Sequence, residues 1–433
     1  MDTVSRIPLS VGQQALWLSW MLEPERPIHL IPMQLLVRGE LDVSRLHAAV
    51  TALGEAYPQL RGRVEKIPGG PVLTWRDAPE IPVVDKTSEL ERVDAVRQTW
   101  RQPFDLTKGP LARVHVLRGR GYTVFLLTVH HIVADGESIL ILFEALRQAY
   151  AGQALAPADQ VGPLVEFARR SQALAETSRG DPARAHWRRV LGTEMPPEYL
   201  PPTGDGTYLM HQADVPATLA ERIRARASEL GVSYFTALLA GYLVTLRSCT
   251  GVDDLLVSLP FHGRTEPGLR DTVGYFVNAL PFRHRLAATD TYAELVVRLR
   301  LELKACYHHA ELPLPAIMRE VRLVGPEAGK RTRQTIFQYW HAGARAGVDL
   351  QRLDLGDCVL SLLENESSAG FAMAMHIRED SSGTRVLWKD PEGMVGAVRV
   401  RTLAEVYLTV LSALADDPGS RIAPVLTGHA GWS

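Results

Sequence analysis

The stretch from Leu111 to Gly152 constrains the fold more than any other part of this 433-residue chain. Two runs of β-branched, aromatic and aliphatic residues, Leu111 to Leu117 and Tyr122 to Val129, flank Gly119-Arg120-Gly121, which reads as a hairpin. Ile139, Leu140, Leu142, Phe143 and Leu146 then recur at helical spacing until Gly152, and Asp135 to Ser138 supply N-cap candidates just before them. The segment between strand and helix is His130-His131-Ile132-Val133-Ala134-Asp135-Gly136. Adjacent side chains of a strand face opposite ways, so the two histidines share a cleft only if the strand has already ended. One of them is therefore structural, and His130 is read as the packed, hydrogen-bonded one.

A turn of this composition suits acyl transfer. Near its free pKa, a neutral histidine accepts a proton from an attacking amine or hydroxyl and holds that nucleophile in place. His131 is the candidate for that role. Gly136 lets the backbone approach a substrate, and the first amides of the following helix can face a developing oxyanion. Asp135 reads as a brace rather than a catalyst. A buried carboxylate needs a bidentate cation, so an arginine partner is expected. A metal site is disfavoured because no convincing fourth ligand lies near the His-His-x-x-x-Asp cluster.

The turn resembles the active-site signature of nonribosomal peptide synthetase condensation domains, and the resemblance runs along nearly the whole chain. Leu9 to Trp17 (LSVGQQALW) is similar to the family's first motif, and Tyr57-Pro58-Gln59-Leu60-Arg61 to its second. Phe104-Asp105-Leu106, Gly109-Pro110-Leu111 and Arg113 match the approach to the hairpin, and Val273 to Arg283 (VGYFVNALPFR) the fifth motif. His309 to Pro315 and Arg333 to Gln338 follow the later motifs more loosely. The resemblance implies an α/β (α+β) fold of two chloramphenicol-acetyltransferase-like lobes in a V, with the active site along a tunnel at their interface. It implies His131, with His130, Asp135 and Gly136, as the catalytic turn. Asn278 and Arg283, together with Arg61, would support it, Arg283 being the first expected partner of Asp135 and Arg61 the second.

The reaction implied is transfer of an acyl or aminoacyl group from a carrier-protein thioester to an amine. The chain itself would bind no cofactor, the phosphopantetheine arm arriving on donor and acceptor carrier proteins. An alcohol acyltransferase bearing the same signature and a catalytically silent recruitment module are the alternatives. The intact histidine pair sets the chain apart from heterocyclising domains and from glycopeptide recruitment domains. Glu137-Ser138-Ile139-Leu140 differs from the Ser-Trp-Arg of epimerisation domains, and no Asp-Phe-Gly-Trp-Gly of plant-type acyltransferases occurs.

Composition agrees with this reading. A chain this long, 46% hydrophobic and 22% charged, has room for two cores. A polar, turn-rich stretch from Glu176 to Pro182 places a lobe boundary there, giving lobes of 1–176 and 177–433. The net charge of −2 argues against nucleic-acid or anionic-membrane binding. Three scattered cysteines, Cys249, Cys306 and Cys358, suit reduced, packed thiols, and Met1 to Ser10 lack a secretion signal, so a cytoplasmic monomer is expected. Tyr234 to Leu246 is apolar but short for a bilayer and reads as a core helix. Helices are also predicted over Val43 to Tyr57, Ala217 to Leu230 and Thr291 to His309, and strands over Leu255 to Leu259 and Asn278 to Leu286. Trp187 reads as a packing anchor, His308-His309 as a helix end, and the arginines beside Trp187 as a solvated face.

Overall fold

The computed structural model describes residues 6–75, 78–157, 159–194, 196–200, 202, 204, 206–322, 333–341, 349, 351–363, 371–380 and 383–422. The chain packs as two compact units. The first takes Met1–Gly180, His262–Val277 and Arg345–Ala369, and the second takes Asp181–Phe261, Asn278–Ala344 and Gly370–Ser433. The division expected at 176/177 is a single cut, whereas these units exchange two later segments. Polar, turn-rich composition marks where a chain can pass between elements. It does not say which core a segment a hundred residues later will join.

In the first unit a six-stranded sheet runs in the order Leu353–Asp354, Cys358–Leu362, Leu30–Gly39, Tyr122–His130, Ala112–Gly119, Val83–Thr87. Only the last pairing is parallel. The expected hairpin is present: Gly119 pairs with Tyr122 across a two-residue turn, and Gly121 takes φ +75°, a conformation that costs glycine little. Val124 to His130 are buried without interruption because the strand is covered on both faces, which is why its sequence shows no polar alternation. The helices Val43–Ala56 and Gly136–Tyr150 pack against each other, tied by Arg45, whose guanidinium stacks 4.4 Å from the Tyr150 ring centroid and donates to the Tyr150 carbonyl. A second, three-stranded sheet is formed by Arg6–Pro8, Gly70–Thr74 and Arg63–Ile67.

The second unit holds a six-stranded sheet in the order Asn278–Arg285, Asp254–Phe261, Thr335–His341, Met373–Asp380, Gly383–Asp390, Leu209–Val215, with Thr335–His341 parallel to both neighbours. Tyr234–Thr250 is the expected core helix, buried on nearly every side and packed by Ala397–Asp416 and Tyr292–His308. Among the described residues no single helix is long and apolar enough to cross a membrane. Trp187 is fully buried and donates its indole N–H to the His309 carbonyl (3.2 Å), the anchoring role its setting predicted. Cys249, Cys306 and Cys358 are buried and unbridged, and burial pushes their thiols up to about 12, 12 and 11.

Candidate active site

The strand Tyr122–His130 ends between the two histidines. His130 is its last residue, and His131 opens a short 3-10 turn, His131–Val133. The two imidazoles consequently enter different environments. His130 is 2% exposed, and its Nδ1 accepts the Ile132 amide at 3.1 Å. Phe104 stands edge-on to it at 6.2 Å and His29 at 6.4 Å. Burial, with the neighbouring imidazoles of His29 and His131 adding to it, pushes His130 far below the ordinary histidine range, so it is a neutral packing group.

His131 is held differently. Its backbone amide donates to the His29 carbonyl at 2.7 Å, and His29 adopts a left-handed backbone (φ +58°), an uncommon conformation for a residue with a side chain. Its Nδ1 lies 3.0 Å from the Ala134 carbonyl. A carbonyl can only accept, so this contact requires the proton on Nδ1 and leaves the Nε2 lone pair available. Burial lowers the His131 pKa, partly opposed by Asp135 and by the Ala134 hydrogen bond, so the ring is neutral at neutral pH. The turn is pinned from the helix Val11–Leu22, where Gln13 Nε2 donates to the Ile132 carbonyl (2.7 Å) within a capping box shared with Ser10.

Asp135 is the N-cap of Gly136–Tyr150, accepting the Ser138 amide at 2.8 Å, as its position after the strand predicted. The same oxygen lies 2.8 Å from Ser138 Oγ and accepts from a guanidinium nitrogen of Arg264 at 2.8 Å, while Oδ2 accepts the Phe276 amide at 3.2 Å. Arg264 also donates to Ser138 Oγ (2.9 Å) and to the carbonyls of Leu269 and Thr272, and it stacks 4.5 Å from the Phe276 ring centroid. Both charged side chains are about 5% exposed. A carboxylate so enclosed requires this density of donors.

The arginine brace was expected, but its identity is corrected. Arg283 makes a bidentate pair with Asp254, on the neighbouring strand, at 2.8 and 2.7 Å, and also bonds the Leu191 carbonyl. Arg61 lies in the 3-10 turn Pro58–Arg61 with its Nε buried, and among the described residues that Nε has no hydrogen-bond partner and Arg61 makes no ion pair with Asp135. Asn278 serves the second unit: its amide donates to the Ala310 and Leu312 carbonyls (both 2.8 Å) and accepts from Leu314 N (3.0 Å), fixing the loop that includes the expected late motif. Gly136 does not take a left-handed conformation, so it is not required for backbone shape there. Sequence reasoning did not single out Arg264, Ser138, Gln13 or His29. Of these, Ser138 carried a local signal, three positions after an N-cap aspartate, and so did Gln13, which completes a Ser-x-x-Gln capping-box pattern with Ser10 inside the first motif.

A neutral, singly oriented histidine at a strand end, beside a helix N-terminus braced by Arg264, is an arrangement that the acyltransferase class can use. Within it the chain belongs to the condensation domain family, whose model matches residues 4–427. It is 26% identical over 429 residues to tyrocidine synthase 3 of Brevibacillus parabrevis, covering 96% of this chain and 6% of that protein. It is 30% identical over 453 residues to a dimodular nonribosomal peptide synthase of Bacillus subtilis, covering 96% of this chain and 18% of that one. The chain thus spans a small part of the length of these curated relatives. Among solved structures, the X-domain from teicoplanin biosynthesis superposes with a TM-score of 0.83 at 20% identity, covering 98% of both chains, a likeness of fold.

Proposed function

We propose that the chain joins an acyl or aminoacyl group, delivered as a carrier-protein thioester, to an amine, forming an amide. The observation that carries this reading is the His131 Nδ1 contact with the Ala134 carbonyl, which leaves Nε2 as the available base on a neutral ring. The amine nitrogen, hydrogen-bonded to Nε2, attacks the thioester carbonyl. As the N–C bond forms, the amine proton passes to Nε2, and as the C–S bond breaks it passes on to the departing thiolate. Orientation supplies much of the rate, since a thioester is already activated. Asp135 holds the turn, and Gly136 leaves the approach to His131 free of side chain.

The donor arm would be phosphopantetheine, borne by separate carrier proteins, with a second carrier able to present the amine. Family membership and the relatives' names support this assignment. The test is turnover of a carrier-bound acyl donor with an amine acceptor, native against His131→Ala. Loss of about 100-fold or more in kcat with a retained fold is expected. Near-native turnover by the variant would remove His131 from the chemistry. Equal use of the same acyl group on a short soluble thiol, with no competition by a carrier, would replace this reading with a small-molecule acyltransferase.

A further inference from the structure

The hydrogen bonds around Asp135 also fix a residue that carries no charge. The Gly274 amide donates to Ser138 Oγ at 3.0 Å, and the Phe276 amide donates to Asp135 Oδ2 at 3.2 Å. The backbone on both sides of Tyr275 is thus fastened to the turn that carries His131. Gly274 permits this close approach, since a Cβ there would lie 2.6 Å from Leu164 Cδ2 and 2.8 Å from the Phe276 ring. From that anchored position the Tyr275 ring stands edge to face with the His131 imidazole, 5.9 Å between centroids and 84° between planes.

The ring also lies against the helix Val11–Leu22. A Cβ on Gly12 would lie 3.0 Å from Tyr275 Cε1, tighter than ordinary van der Waals contact. The helix is itself bonded to the turn through Gln13 and Ile132, so glycine, tyrosine and imidazole form one packed set. One hydrogen bond at Nδ1 restrains the imidazole but tolerates a range of tilt about its Cβ–Cγ bond. An aromatic edge against the ring narrows that range. The Tyr275 hydroxyl makes no hydrogen bond among the described residues, so the ring is the part with a structural partner.

We propose that Tyr275, seated against Gly12, is a positioning residue that sets the plane in which His131 presents its Nε2 lone pair. This rests on the acyl-transfer reading of His131. The test uses the full chain, a carrier-bound acyl donor and an amine acceptor, and compares Y275L, Y275F, G12A and the G12A/Y275L double variant with H131A as reference. Y275L is expected to lower kcat by about 3- to 10-fold with KM unchanged, the range an edge-to-face pair provides. Y275F, which keeps the ring, recovers that loss. G12A displaces the ring and lowers kcat by roughly 3-fold, and the double variant falls no further than Y275L because the two changes disturb the same contact.

Unchanged kcat in Y275L or G12A, losses that multiply in the double variant, or a loss in Y275F equal to that in Y275L would each overturn the proposal. G12A places a better helix former in the helix and keeps the test alive should Y275L not fold. An H131A variant with native turnover defeats the base assignment itself. An inactive H131A beside a fully active Y275L defeats only the positioning role.

Discussion

Each unit contains an aspartate–arginine pair next to a strand end, and the two differ in burial and reach. Asp135 and Arg264 meet at 2.8 Å with about 5% of either side chain exposed. Asp254 and Arg283 meet at 2.7 Å, but 19% of the carboxylate remains exposed, and it has a second cation in Arg285, itself 69% exposed. The first pair joins segments 129 residues apart, the second neighbouring strands 29 residues apart. The Asp254 pair reinforces a register that the sheet already specifies. The Asp135 pair fastens a distant segment to the turn that carries His131, where no ladder does so.

The comparison predicts a ranking of costs. Arg264→Ala leaves Asp135 buried without its cation and should destabilise by about 3–5 kcal/mol in urea unfolding, with turnover lost as the His131 turn loosens. Arg283→Ala should cost about 1–3 kcal/mol, because Asp254 keeps Arg285 and some water. If Arg283→Ala cost more than Arg264→Ala, the contrast would be wrong. A 100-fold loss of turnover at near-native stability would return Arg283 to the site.

Acid tests a property the units share. His115 and His130 in the first unit and His186 and His376 in the second are all shifted down by burial, His115 and His186 to about 4. An unfolded histidine titrates near 6.5, so between that pH and about 4 the unfolded chain binds more protons. Stability is therefore full above about pH 6.5 and falls as the pH drops toward 4. A melting temperature flat across that window would contradict the burial of these rings. Turnover should persist below pH 6.5, down to the lowered pKa of His131, before it falls. The smallest effect belongs to Arg285→Ala, about 0–1 kcal/mol and further reduced by salt.

What the sequence disclosed and what it withheld divide along the same line. The hairpin, the strand end at His130, the cap at Asp135 and the helices Val43–Ala56 and Tyr234–Thr250 are written in local periodicity and capping chemistry, and each formed where the pattern placed it. The need for an arginine at Asp135 followed from the cost of burying charge. Its identity did not, because His-Gly-Arg at 262–264 has no periodicity of its own and reaches the turn only through the path of the chain. Arg283 looked better because it closes a recognisable motif, yet Asp254, one strand away, takes both of its forks.

The membership of His262–Val277 in the first unit bears on how this chain can be dissected. A fragment ending near residue 176 or 180 would contain both histidines, Asp135 and the whole hairpin, yet lack Arg264, Gly274, Tyr275 and Phe276. Its aspartate would face a hollow where a guanidinium and a backbone amide belong. Half-swaps between related enzymes carry the same hazard, since a chimaera joined there pairs the histidine turn of one parent with the brace of the other. The turn and residues 262–277 are thus one inheritable part written in two places, and recombination that respects it must move both together.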